Sequence, residues 1–122
     1  GNNFHNVIFD THMYQCFDGR LKEFNIEQHV AHSMKRTKLL QEVEKYVPCI
    51  VGEWSLGLSN NKHITKDNEE EVLKKYSNAQ LLAMRECTGH TFWSYKVEKK
   101  YSGWNFRDLV QRGIISMEEF LK

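Results

Sequence analysis

Apolar and polar positions divide the chain into three units of one kind: a short run rich in β-branched and aromatic residues, then a longer stretch in which apolar residues return every three or four positions. The runs are Asn6 to Tyr14 (NVIFDTHMY), Pro48 to Ser55 (PCIVGEWS) and Gly89 to Lys96 (GHTFWSYK), and each predicts a strand. After the first, Ile26, Val30, Met34, Leu40, Val43 and Val47 recur at helical spacing among Lys, Glu and Gln, and Pro48 stops the helix. After the second, Asp67 with Glu70 three positions on predicts a capping-box start. Val72, Leu73, Tyr76, Ala79, Ala83, Met84 and Cys87 then form the inward stripe, with Gly89 just beyond its end. After the third run a shorter helix is expected from about Trp104 to Arg112, closed by Gly113, with a last turn started by Ser116.

Strands separated by single amphipathic helices run parallel, because each crossover returns the chain to the same end of the sheet. The order β-α-β-α-β-α therefore predicts an α/β protein. Three parallel strands leave two unpaired edges and one sheet face short of cover, a poor arrangement by itself. The chain reads as part of something larger, in which further segments or another chain cover those edges; a small three-layer domain is the alternative. With Pro48 the only proline and no linker or low-complexity tract, residues 1–122 form one unit without an internal boundary.

Composition narrows the partners. A chain of 122 residues is too short for a closed (β/α)8 barrel, which needs ~250. Seventeen Lys and Arg against sixteen Asp and Glu leave a net charge of +1, so neither nucleic acid nor a membrane surface is an expected partner. The stretch from Val97 to Lys100, near Tyr95, Tyr101 and Trp104, is balanced by acids and reads as a polar loop rather than a site for single-stranded nucleic acid. No apolar run approaches ~20 residues and no signal peptide opens the chain, but a start at Gly1-Asn2-Asn3 rather than Met makes the missing leader uninformative about compartment. Cys16, Cys49 and Cys87 lack Cys-x-x-Cys spacing, allow at most one internal disulfide, and are expected as buried thiols. His29 and His32 lie three apart without a third ligand or a pocket and are expected at the surface, with no metal.

In parallel α/β folds the working groups sit at the carboxyl ends of strands and in the loops just after them. Alternation along the first strand puts Asp10, His12 and Tyr14 on one face. The second ends in Val51-Gly52-Glu53-Trp54-Ser55, a lone carboxylate after an apolar run with a glycine that allows close backbone approach. The third ends in Phe92-Trp93-Ser94-Tyr95-Lys96. An acid, a histidine, a tyrosine and tryptophans facing one pocket suit a sugar: carboxylate for the anomeric carbon, polar groups for hydroxyls, flat rings for the apolar face of a pyranose. Asp10 suits a supporting hydrogen-bond acceptor, and Lys96 with Glu98 a surface ion pair. Trp93 as core packing is the rival to a sugar platform. Ser55 is no nucleophile elbow, because Glu53 occupies the first glycine position of G-x-S-x-G, and Cys16 with His12 and Asp10 draws a whole triad from one strand.

The strings VIFDTHMYQCF, VGEWSLGL and GHTFWSYKVE followed by WNFRDLVQRGI resemble, in order and spacing, the last three β/α units of glycoside hydrolase family 5, and within it the exo-β-1,3-glucanase group. The resemblance covers essentially the whole chain. It implies the C-terminal part, strands six to eight with their helices, of a (β/α)8 TIM barrel, and retaining hydrolysis of β-glucosidic bonds in β-glucan, β-1,3 foremost. Glu53 matches the family's nucleophile on the seventh strand, and His12 and Tyr14 the sixth-strand pair that contacts nucleophile and sugar. Trp93 matches the eighth-strand platform under the sugar, Phe17 an aromatic at the mouth of the cleft, and Trp54 a packing residue. The resemblance implies no metal or organic cofactor, and a secreted or cell-wall location.

One departure stands out. A retaining glycosidase needs two carboxyls ~5 to 5.5 Å apart. The family's acid/base glutamate lies in an Asn-Glu-Pro motif, whereas the one Asn-Glu here, Asn68-Glu69, starts a helix and lacks the proline. The acid is expected from a missing N-terminal part, and the chain by itself is expected to hydrolyse little. The competing class is a non-catalytic glucan-binding or structural remnant of such a barrel.

Overall fold

The computed structural model describes residues 5–58, 61–98 and 102–122. The Gly1-Asn2-Asn3 start, and Lys99, Lys100 and Tyr101 of the polar loop, lie outside the described residues. The elements follow the expected order: β1 (Phe9–Met13), α1 (Ile26–Glu44), β2 (Cys49–Trp54), α2 (Glu69–Met84), β3 (Gly89–Phe92), α3 (Phe106–Gln111) and α4 (Met117–Phe120). Single 3-10 turns occupy Leu21–Glu23 and Ser102–Trp104. The strands form one parallel sheet in the order β1-β2-β3, so β2 is central and carries neighbours on both sides. This α/β arrangement is compatible with part of a (β/α)8 barrel.

Local signals explain most boundaries. Asn25 and Gln28 form a reciprocal capping box at the start of α1. The start of α2 departs from expectation: the cap position belongs to Asn68, not Asp67, and its side chain serves the preceding turn. That amide accepts from the Thr65 N–H at 2.7 Å and donates to the His63 carbonyl at 3.0 Å. Glu69, Glu70 and Glu71 instead favour the start through the positive end of the helix dipole. The expected helix from Trp104 is split, because Ser102–Trp104 is a 3-10 turn and Asn105 caps α3 by accepting from Asp108 N–H. Gly113 ends that segment at φ +67°, and Ser116 caps α4.

One sheet face is packed. Met13, Cys49, Val51 and Trp54 join Leu40, Leu73, Tyr76, Leu81, Met84, Leu109, Ile114 and Ile115 in a single buried cluster. The other face is open, with the side chains of Asp10 and His12 about half exposed at 51% and 49%. Parity along β2 breaks at one residue. Thr11 pairs with Val51 and the next residue, His12, with Glu53, so Gly52 is an extra residue in β2. Strict alternation would carry Glu53 into the helix-covered layer beside Cys49 and Val51. The extra residue reverses this: Trp54 is fully buried, and Glu53 turns to the open face.

The expected surface position of His29 is wrong. The fully buried positions of α1 are His29, Ser33 and Leu40, while Ile26, Val30 and Met34 are half-buried. His29 is 2% exposed because its ring is completely paired, as the site shows below. Cys16, Cys49 and Cys87 are in no disulfide. Among the described residues no helix is long and apolar enough to cross a membrane, and no group of three His, Cys, Asp or Glu side chains is placed to hold a metal ion.

Candidate active site at the carboxyl ends of the strands

The site begins with Glu53 near the carboxyl end of the central strand. The Tyr14 hydroxyl, one residue past β1, donates to Glu53 Oε2 at 2.7 Å. His12 Nδ1 lies 3.5 Å from the same oxygen, and His12 Nε2 lies 3.5 Å from Asp10 Oδ2. Burial foremost, and then the bond to the Glu53 carboxylate, hold the Tyr14 phenol well above the usual tyrosine range. Tyr14 therefore keeps its proton near neutral pH and serves as a hydrogen-bond donor. Asp10 accepts from the Gly52 N–H at 3.0 Å, as expected of a supporting acceptor.

Aromatic rings border this group. Tyr14 stacks on Trp104 with centroids 5.5 Å apart and planes at 28°, and Phe17 meets Tyr14 edge-on at 5.2 Å. Phe17 is 73% exposed, which suits the mouth of a cleft better than a core. Trp93 is 54% exposed, so among the described residues it is not packed into the core. Its backbone N–H donates to the Trp54 carbonyl at 2.8 Å, which fixes Trp93 at the same end of the sheet as Glu53. None of the other described rings stacks on it.

Trp104 is the aromatic neighbour of Tyr14 that sequence reasoning missed. Its indole reaches Tyr14 because two glycines permit a close approach between the loop after β2 and the 102–104 turn. A Cβ on Gly57 would lie 2.5 Å from the indole, and one on Gly103 would lie 2.5 Å from the Leu56 carbonyl oxygen. The Leu56 N–H donates to the Gly103 carbonyl at 2.9 Å. The Ser102-Gly103-Trp104 string, with its glycine opposite Leu56-Gly57, was the available signal. Ser55 is 1% exposed and its hydroxyl accepts from Gly57 N–H, a structural use.

Behind the site lies a second polar group. His29 Nδ1 meets Gln15 Oε1 at 2.7 Å, and its Nε2 meets Asn61 Nδ2 at 3.0 Å. An amide nitrogen only donates, so Nε2 accepts and Nδ1 carries the proton: the ring is neutral. Burial pushes its pKa down to about 4. Gln15 also donates to Ser33 Oγ at 2.8 Å, and Arg36 donates to the Tyr14 carbonyl at 3.0 Å. Helix α1 thus grips the segment that carries Tyr14.

No protein-family model matches the chain. Among curated proteins, it is 27% identical over 113 residues to "Probable glucan endo-1,6-beta-glucosidase B" of Aspergillus terreus, an alignment covering 89% of this chain and 26% of that protein. It is 29% identical over 143 aligned residues to "Probable glucan 1,3-beta-glucosidase A" of Emericella nidulans, covering 89% of this chain and 35% of that protein. A solved structure described as "Crystal structure of AoRut" shares the fold, with a TM-score of 0.68 and 20% identity over 93% of this chain and 31% of the other. The chain spans about a quarter to a third of the length of the curated relatives it matches. Its homologues are named as glucan glucosidases, and the likeness covers 89% of the chain.

Proposed function

We propose that the chain supplies the last three β/α units of a (β/α)8 barrel of glycoside hydrolase family 5, and that the complete barrel hydrolyses β-glucosidic bonds of β-glucan with retention. One observation carries the reading. A carboxylate at the end of the central strand faces open space, with Oε2 held at 2.7 Å by a phenol and faced at 3.5 Å by an imidazole. Both neighbours converge on Oε2, which makes Oε1 the attacking oxygen. In the first step Glu53 Oε1 bonds to the anomeric carbon as the glycosidic C–O bond breaks, and the leaving oxygen takes a proton from an acid in the preceding part of the barrel. Water, deprotonated by that same group, then cleaves the glycosyl ester. Tyr14 and His12 orient the nucleophile and reach sugar hydroxyls, Trp93 supplies a platform, and Phe17 lines the approach. The barrel's earlier strands would pair with the open edges of β1 and β3.

The names of the relatives favour glucan, both 1,3- and 1,6-linked, as the substrate class. The chemistry needs no metal or organic cofactor, and the family resemblance favours an extracellular or cell-wall setting. The test is trapping by a 2-fluoro glucoside with a good leaving group, using the chain joined to its upstream segment and intact mass as readout. Wild type should gain one sugar and Glu53→Gln none. Binding of β-glucan by the reunited barrel without trapping would replace hydrolysis with the second reading, a non-catalytic glucan-binding remnant.

A further inference from the structure

The bulge at Gly52 turns Glu53 toward the open face, so whatever holds the bulge holds the aim of the carboxylate. A bulge leaves its extra residue without a ladder partner. Gly52 indeed pairs with no residue of either neighbouring strand. Its two polar backbone groups nevertheless find side-chain partners, one from each side. The N–H donates to Oδ1 of Asp10 on β1 at 3.0 Å, and the carbonyl accepts from the hydroxyl of Thr91 on β3. Asp10 and Thr91 are both exposed, beside Glu53 rather than in the core.

We propose that Asp10 and Thr91 are positioning residues, side-chain braces that fix the Gly52 bulge and thereby keep the Glu53 carboxylate on the open face within reach of Tyr14 and His12. Three facts support the assignment. A Cβ on Gly52 would lie 2.2 Å from Asp10 Oδ1 and 2.9 Å from its Cγ, so the carboxylate occupies the space a side chain would take. The same carboxylate faces His12 Nε2 with its other oxygen, at 3.5 Å, and so sets the bulge and the imidazole together. The braces come from both outer strands, so β2 is held against a shift in either direction. Without them the extra residue is free to move along β2, and the register that places His12 opposite Glu53 is lost. The inference rests on the hydrolase reading only for what the aim of Glu53 serves.

The experiment reads geometry rather than turnover. In the full chain with 13Cζ-labelled tyrosine, the Tyr14 resonance at neutral pH reports its bond to Glu53, and Glu53→Ala gives the value with that bond gone. Asp10→Ala and Thr91→Val should each move the resonance by at least about half of that difference. Asp10→Asn and Thr91→Ser, which keep an acceptor and a donor for Gly52, should restore the wild-type value. A wild-type resonance in both Asp10→Ala and Thr91→Val overturns the braces, as does an equal displacement in Thr91→Ser. If Asp10→Ala fails to fold, the Thr91→Val and Thr91→Ser pair decides alone, because it alters one exposed hydroxyl. Failure of trapping in the wild-type reunited barrel, with the resonance displaced in the variants, sinks hydrolysis and keeps the braces; trapping in wild type with an unmoved resonance in the variants does the reverse.

Discussion

Two polar groups lie on either side of the segment after β1, and they obey opposite rules. Gln15, His29, Ser33 and Asn61 are between 1% and 7% exposed, and both nitrogens of the imidazole are paired. Asp10, His12, Tyr14 and Glu53 are open to solvent in varying degree, include two carboxylates, and set His12 at 3.5 Å from each. Burial makes an unpaired polar atom expensive and a charge more so, so the inner group is neutral and complete. The outer group keeps spare hydrogen-bonding capacity. The first holds loops in place, and the second faces solvent.

The difference predicts which group stability depends on. His29→Ala strands Gln15 Oε1 in the interior, leaves Asn61 Nδ2 only the Phe24 carbonyl, and opens a void, so unfolding by urea should show a loss of about 2 to 4 kcal/mol. Glu53→Gln should change stability by less than about 1 kcal/mol. Equal losses would erase the distinction. Acid supplies the next largest effect. Folding lowers the His29 pKa from 6.5 to about 4, so the unfolded chain binds more protons between those values. The stabilisation is full above pH 6.5, falls as pH drops toward 4, and levels off below. Its full size is about 3 kcal/mol, with burial the main cause and the imidazoles of His32 and His63 adding to it. Urea midpoints at several pH values should show this slope in wild type and lose most of it in His29→Gln.

Much of the outer group was legible in the sequence, and the inner group was not. Alternation placed Asp10, His12 and Tyr14 together correctly because β1 is regular up to Met13. Glu53 stood out by its string, but its direction depends on a bulge, and a period-two pattern carries no mark of an inserted residue beyond a glycine. His29 was misplaced because an apolar stripe through Ile26, Val30 and Met34 promised a conventional inner face. The helix instead turns a polar line inward, which becomes favourable only once Gln15 and Asn61, distant in sequence, arrive as partners. Trp104 escaped for a similar reason: its neighbours Tyr14 and Gly57 come from two other loops.

A smaller effect is expected at Tyr14. Tyr14→Phe removes the 2.7 Å bond to Glu53 and should slow trapping in the reunited barrel about 10- to 100-fold, the worth of one hydrogen bond to a charged group. Stability should change little, because the phenol belongs to the open group. A variant as fast as wild type would remove Tyr14 from the orientation of the nucleophile.

The smallest effect tests whether Trp104 works through Tyr14. The indole stacks on the phenol at 5.5 Å, and the phenol donates to Glu53, so the indole can influence the carboxylate through the ring it supports. Trp104→Phe keeps an aromatic face but shortens it, leaving room beside Gly57 and a looser Tyr14. An aromatic pair is worth about 0.5 to 1.5 kcal/mol, which corresponds to a slowing of trapping of about 2- to 12-fold if all of it bears on the reacting geometry. The cycle with Tyr14→Phe separates the routes. If Trp104 acts by positioning the phenol, its substitution should slow the Tyr14→Phe protein hardly at all, since the hydroxyl it steadies is already gone. Equal slowing in both backgrounds would mean that the indole meets the sugar or braces the loop directly, and would move Trp104 from support of the outer group into the group itself.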